Sequence, residues 1–346
     1  MNQVSVHKER ISNIELLRLV LMLFIVIHHG IVFGLGLDAL SPWGTDLRIE
    51  KNDMPYLCMF NCFLIFAVNT FILISGYFSI HLSIEKVIRI ILPFVLFTLL
   101  FTTIPYFIIG NKQGAINSLL FLSHTKYWFI PYYLFLMFLA PVLNRFYEGN
   151  EKKNLTLLIG MLIIINCYFG FLWGDKVNIN GYTLMQFIMM YCIGKYIRVN
   201  AFSPSMLINL LIFFVSSVLC GVLCYYYYSV GQEALSWKMT FYNNPLVLIA
   251  SVSFFLFFLK IKLKSKIINW ASKSALSVYL FQNSAVCSKY YYQFIQFEYQ
   301  KVGLLGGCII IIILSLLICI LAICIDKFLS LGYMPVLKKI RCYETG

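Results

Sequence analysis

Two adjacent histidines, His28 and His29, stand inside a run from Leu19 to Leu37 that contains no Asp, Glu, Lys or Arg. An imidazole has a reference pKa of about 6.5, so at neutral pH it is mostly the neutral base. Ionisable groups at membrane depth are costly, with estimates starting at about 2.5 kcal/mol for Arg or Lys at a helix centre, and are functional-site candidates by default. Helical geometry separates the pair. Arg18 lies eleven residues before His29, about three turns, which puts both on nearly one face roughly 16 Å apart along the axis. His28 is rotated well off that face.

A cation near one end of a helix with an imidazole deeper along it suits a long ligand with a phosphate head and a reactive tail, the shape of acyl-coenzyme A. There a neutral imidazole can serve as general base toward a sugar hydroxyl that attacks a thioester. The same residues admit a plainer role, in which a histidine bonds across helices and Arg18 snorkels to the interface. Ser12-x-x-Glu15 has the form of a capping box ahead of the apolar run. Glu15 is therefore expected to start the helix rather than to act as an acid.

The elements that position these side chains follow from the spacing of charges. Of 346 residues, 61% are hydrophobic and 12% charged, with a mean hydropathy of +0.83, far from the roughly 25% charged of soluble domains. Charge-free intervals run from Leu19 to Leu37, Met54 to Ile84, Ile90 to Asn111, Tyr127 to Asn144, and Asn154 to Gly174. Five more run from Val177 to Gly194, Val199 to Gln232, Met239 to Leu259, Ser274 to Ser288, and Val302 to Ile325. A span takes about 20 apolar residues, so the chain is expected to be an all-α, polytopic integral membrane protein of ten transmembrane helices. Unpaired backbone is too costly in hydrocarbon for open strands, and no dyad alternation marks a barrel.

Lys and Arg in short loops accumulate on the cytoplasmic side. With the N terminus inside, seventeen basic residues fall in cytoplasmic loops and eight in the opposite ones, Arg18 and Lys273 lying within or beside helices. Both termini are then cytoplasmic. The formal charge of +13 has the same origin. It is dispersed over juxtamembrane loops facing lipid head groups, without the dense basic run interleaved with aromatics that nucleic-acid binding needs. Even Lys260-x-Lys-x-Lys-x-Lys266 reads as a topology anchor. No cleavage site follows the first span, which is expected to remain attached. The eleven cysteines form no C-x-x-C pair and no Cys/His cluster at zinc spacing; they read as small hydrophobes, and no metal site is expected.

The segment from Asn13-Ile-Glu-Leu-Leu-Arg18 to Ile27-His-His-Gly30 resembles the first helix of the bacterial membrane acyltransferase-3 family, which carries Arg-x10-His. The interval selects Arg18 and His29, with His28 as a neighbour. Asn69-Thr-Phe-Ile-Leu-Ile-Ser-Gly-Tyr-Phe78 resembles the family's aromatic-rich segment ending in Ser-Gly-aromatic, with Ser75 and Gly76 matching; their plainer role is a small-residue helix contact. Lys86-Val-Ile-Arg89 is similar to the family's cytoplasmic basic pair, with Lys86 where Arg is usual, and Lys lacks the bidentate fork that suits phosphate. Trp128-Phe129 with Pro141 resembles the fourth span. Ser274-Ala-Leu-Ser-Val-Tyr279-Leu-Phe-Gln282 resembles the late segment, with Gln282 where the family usually has His, so no proton transfer is assigned there.

The resemblance covers residues 13 to 325 and implies one membrane domain over 1–346, with short cytoplasmic tails at 1–12 and 327–346. It implies transfer of an acyl group, usually acetyl, from cytoplasmic acyl-coenzyme A to a hydroxyl of a surface glycan or its lipid-linked precursor, as in O-antigen, capsule or exopolysaccharide, at a bacterial cytoplasmic membrane. His29 is then the general base, and Arg18, Lys86 and Arg89 take the donor's phosphates. Ser75, Gly76, Trp128, Ser274 and Tyr279 support them. No cofactor is bound permanently; acetyl-coenzyme A is a co-substrate, and the other partners are the glycan and membrane lipids. The competing reading is a glycan exporter or flippase whose polar first helix lines a path, although no symmetry between halves suggests one. A polymerase would carry a larger extracytoplasmic loop than Asp38 to Asp53.

Overall fold

The computed structural model describes residues 10–40, 48–120, 127–149, 152–174 and 177–345. Lys8, Lys126 and Lys176, which enter the charge count above, lie outside the described residues. Every regular element among the described residues is helical, as the charge spacing requires.

In chain order the helices begin with α1 (Ser12–His29), α2 (Met54–Cys62), α3 (Ala67–Phe78), α4 (Ile84–Thr98), α5 (Ile104–Ile108), α6 (Lys112–Leu119), α7 (Phe129–Gly149) and α8 (Lys152–Ile163). They continue with α9 (Leu184–Val199), α10 (Met206–Ser229), α11 (Glu233–Lys238), α12 (Pro245–Lys260), α13 (Lys266–Ala271), α14 (Ala275–Gln282) and α15 (Ala285–Thr345). Several starts are set by side chains that satisfy the first free N–H groups. Ser83 accepts from the Lys86 N–H, Ser205 from Ile208 and Ser265 from Ile268. Asn244 caps α12, with Pro245 at its first position, where a missing N–H costs nothing.

Among the described residues, seven segments are long and apolar enough to cross a membrane: Ser12–Gly34, Met54–Phe78, Ile84–Ile108, Phe129–Gly149, Lys153–Leu172, Met206–Ser229 and Ala285–Glu344. The other expected spans fall on shorter pieces. Val177 to Gly194 overlaps the 16-residue α9, and Met239 to Leu259 overlaps the 16-residue α12. Ser274 to Ser288 is divided between α14 and the start of α15 by a break at Asn283–Ser284. The surface is what hydrocarbon selects, since Leu305, Ile309, Ile313, Leu317 and Ile320 all point outward along α15, a contiguous apolar stripe too large for a soluble monomer.

Two features were hidden from the apolar pattern. α15 is two helices joined at Gly303, whose φ of 68° lies in the left-handed region that glycine enters freely. Glu15 sits one turn into α1, but Ser12 does not cap that helix. Its N-cap is Ile11, without a side-chain bond, because the Ser12 hydroxyl is engaged by Ser265, accepting from its N–H at 3.0 Å. Asn13 donates to the Phe258 carbonyl at 2.8 Å. The start of α1 is thus tied to the α12–α13 connection, where a capping box would have used it locally.

The core forms around Phe24, Phe66, Phe213 and Phe254, whose ring centroids lie 4.8 to 6.1 Å apart between contacting pairs. α3 packs along α9 by direct backbone approach. A Cβ built on Gly76 would stand 2.1 Å from the Tyr191 carbonyl oxygen, and one on Gly194 2.3 Å from that of Leu73. Gly76 therefore plays the small-residue contact role. Replacing it with alanine forces these helices apart, and overpacking of this kind costs about 1–3 kcal/mol. The expected result for Gly76→Ala is a lowered midpoint of thermal unfolding in detergent, with Gly149→Ala, which meets open space, as the unaffected control.

The bundle has two ends. The near end carries the start of α1, the end of α12, α13, the start of α4 and the last turns of α15. The far end carries Phe33, the 48–53 segment and the kink at Gly303.

Candidate active site

His29 is the last α-helical residue of α1, followed at once by a π-helical turn over Gly30–Gly34. Such turns re-aim side chains and are frequent at functional sites. Opposite it, the break after α14 leaves Gln282 at a helix end facing α1. Non-helical backbone at this depth is tolerated because it is buried in protein, with the Ala285 N–H donating to the Thr102 hydroxyl at 3.1 Å.

Nδ1 of His29 lies 2.6 Å from Oε1 of Gln282, and the Gln282 amide nitrogen donates to the Tyr292 hydroxyl at 2.9 Å. With the amide oriented this way its oxygen is purely an acceptor, so Nδ1 must carry the hydrogen and donate. Nε2 is then left with a free lone pair. The arrangement fixes the tautomer a general base needs, by the same logic that orients any catalytic histidine through its second nitrogen. The rings of Phe33 and His28 flank it at centroid distances of 5.6 Å each.

His28 takes the plainer role weighed above. It is buried, and its Nδ1 bonds Oδ1 of Asn61 on α2 at 2.5 Å, tying two helices. Adjacent identical residues are thus separated by a hundred degrees of helix rotation into a strut and a group facing a polar partner.

The near end gathers the cations. Arg18 pairs with Oε1 of Glu15 at 2.9 Å, and Arg10 with its other oxygen at 3.0 Å. The same carboxylate accepts from the Ser272 hydroxyl at 2.6 Å. One buried Glu15 therefore holds two guanidiniums, leaving the cluster net positive, and the Arg18 side chain remains about a third exposed at 32%. On α4, Arg89 engages Glu85 through Nε and NH2, while Lys86 donates to the His81 carbonyl at 2.8 Å. α1 and α4 both pack on α14 and α15, which brings Arg18, Lys86 and Arg89 to one end of the bundle. The expected tail from 327 is helical to Thr345. Its Glu344 carboxylate accepts from the Ile84 N–H at 2.6 Å at the positive start of α4.

Of the remaining expected residues, Ser75 and Tyr279 are linked through a chain of aromatic side chains. Ser75 bonds the Phe71 carbonyl and, at 3.1 Å, the Tyr133 hydroxyl. Tyr133 stacks on Phe129, and Phe129 meets Tyr279 on α14, three residues before Gln282. Trp128 is set among Tyr182, Tyr242 and Phe187. Ser274 is fully buried at the start of α14, and its hydroxyl has no partner among the described residues.

Sequence reasoning missed Gln282 as a histidine partner, Tyr292 behind it, and Glu15 as the anchor of Arg18. Asp326 was also missed; it is buried and accepts from Ser277 at 2.6 Å and Tyr333 at 2.9 Å. The one signal available was the polar triplet Gln282-Asn283-Ser284 within a charge-free interval.

A family model described as an acyltransferase domain matches residues 11–324. No curated protein and no solved structure matches the chain.

Proposed function

We propose that this chain, which belongs to the membrane acyltransferase-3 family, transfers an acyl group, acetyl in the simplest case, from acyl-coenzyme A to a hydroxyl of a cell-surface glycan or its lipid-linked precursor. The observation that carries the proposal is the His29–Gln282 bond, which leaves Nε2 unprotonated on the same helix as a cation cluster. On this reading the protein sits in a bacterial cytoplasmic membrane, and the charge asymmetry of the loops supports a cytoplasmic near end. That is the side on which coenzyme A is available.

In this mechanism Arg18, Lys86 and Arg89 hold the donor's phosphates, and the thioester lies deeper, toward His29. Nε2 accepts the proton of the acceptor hydroxyl as its oxygen bonds to the thioester carbonyl carbon. Collapse of the tetrahedral species breaks the carbon–sulfur bond. The imidazolium returns the proton to the departing thiolate, so that ester and free thiol are the products and His29 is neutral again. Gln282 keeps Nδ1 protonated throughout.

The test is kinetic. Protein in nanodiscs, given acetyl-coenzyme A and a panel of bacterial glycans, is expected to release free thiol at a rate that saturates in both substrates. An exporter would release none. Arg89→Gln is expected to raise the KM for acetyl-coenzyme A up to about fivefold with little change in kcat, because an exposed ionic contact is worth about 1 kcal/mol or less and 1.4 kcal/mol is tenfold. The difference between wild type and variant should shrink as salt rises.

A further inference from the structure

We propose that the far end of the bundle carries a saccharide-binding pocket, formed where the 48–53 segment meets α15 ahead of Gly303. A cavity of about 710 Å³ opens there, lined by Arg48, Glu50, Asp53, Gln296, Tyr299 and Gln300 among others. That volume falls within the range of small-molecule sites, roughly 300–1,000 Å³, but the lining is far more polar than those usually are.

The wall is built rather than accidental. The Tyr299 hydroxyl accepts from the Glu50 N–H at 3.2 Å and donates to Oδ2 of Asp53 at 2.5 Å, which pins the 48–53 segment to α15. Arg48 donates to the Phe33 carbonyl at 2.9 Å. Among the described residues, the side chains of Glu50, Gln296 and Gln300 make no hydrogen bond to protein. They present carboxylate acceptors beside amides that both donate and accept, the complement of vicinal hydroxyls. Two carboxylates oppose an anion, and an apolar ligand would leave these groups desolvated without partners. A neutral polyhydroxylated ligand satisfies them.

Its position gives the pocket a place in the reaction, and this part of the inference rests on the acyl-transfer reading above. Tyr292, Gln296 and Gln300 fall at i, i+4 and i+8, one stripe of α15 about 12 Å long. Tyr292 is hydrogen-bonded to Gln282, which holds His29. Phe33, whose carbonyl is held by Arg48, lies with its ring 5.6 Å from that of His29 and 5.9 Å from that of Tyr292. A saccharide lying along this stripe directs one end to the histidine, opposite to the cation cluster. Acceptor and donor thus enter from different ends.

The test is a binding measurement without acyl-coenzyme A, so its outcome does not depend on turnover. Methyl glycosides of glucose, galactose, mannose, rhamnose and N-acetylglucosamine are titrated against the protein in nanodiscs, read by saturation-transfer NMR. At least one is expected to bind, and to bind at least fivefold more weakly to Gln300→Ala and to Gln296→Ala. Gln300 is exposed and makes no side-chain hydrogen bond among the described residues, so its loss is not expected to perturb the fold, and acetyl-coenzyme A affinity should be unchanged in both variants. Failure of every glycoside to bind the wild type, or equal binding by wild type and variants, overturns the pocket. A failure of acyl transfer would instead leave glycoside binding intact with no thiol released.

Discussion

His29→Ala is expected to lower kcat for acyl transfer by about 10²–10⁴-fold, the usual contribution of a positioned general base, while His28→Ala keeps most of its turnover. The contrast is demanding because the two side chains are adjacent and share composition, helix and depth. It follows from their partners. His28 faces Asn61 at 2.5 Å in a buried tie between α1 and α2, and losing it costs stability, about 1–3 kcal/mol for the buried group left unpaired. His29 faces Gln282, and its opposite ring nitrogen has no hydrogen bond among the described residues. Initial rates should therefore rank His29→Ala as the less active protein, while the effect of His28→Ala appears in thermal unfolding. A reversal of the activity ranking would place the chemistry elsewhere.

The second large effect is expected at Gln282, which touches no substrate in this account. Gln282→Leu removes the acceptor that keeps hydrogen on Nδ1, leaving that N–H unpaired and the imidazole free to adopt the other tautomer. An unsatisfied buried donor costs about 1–3 kcal/mol, and where that cost drives the imidazole into the other tautomer it corresponds to a fall in kcat of about fivefold to 160-fold. KM for the donor should hardly move, since the cations that bind it lie at the other end of α1. Gln282→Asn, with a shorter reach, should fall between wild type and Leu. Equal loss of kcat and of donor affinity, or equal activity in all three proteins, would mean that Gln282 supports the fold rather than the histidine. A proton NMR spectrum of ring-labelled histidine gives an independent readout, since the Nδ1–H resonance of His29 is expected in the wild type and lost in Gln282→Leu.

How far these sites are legible in sequence depends on the distance over which each is assembled. The seven long apolar segments among the described residues each contain a charge-free interval that was visible in sequence, because hydrocarbon imposes length and composition locally. The Arg18–His29 relation was visible because a single helix carries both, and periodicity alone places them on one face. Breaks inside apolar runs were not. Asn283–Ser284 carries no Pro or Gly to announce it, and the helical character of residues on both sides hides the point where Gln282 is turned toward α1. Gly303 could have been flagged as a glycine in a long pattern, but its left-handed φ depends on the packing of α15 against the rest.

Glu15 shows the same limit from the other side. Ser12-x-x-Glu15 satisfied a local rule, and the structure spends both residues on partners some 250 positions away, Ser265 and Ser272. A local motif competes with every tertiary partner that can reach it, and buried partners prevail because water is not there to replace them. The saccharide pocket is the extreme case. It joins residues near 50 to residues near 300, and neither stretch is distinctive alone.

The most direct test of the account is acceptor-dependent thiol release by three proteins at matched folded concentration in nanodiscs. Wild type, His28→Ala and His29→Ala are supplied with isotopically labelled acetyl-coenzyme A and bacterial glycans, free thiol is followed in time, and label on the glycan is read by mass spectrometry. Stoichiometric thiol and acetylated glycan are expected from wild type and His28→Ala, with both formed about 10²–10⁴-fold more slowly by His29→Ala despite unchanged acetyl-coenzyme A affinity. Equal product from all three proteins, or no donor consumption by the wild type with any glycan, would contradict that expectation.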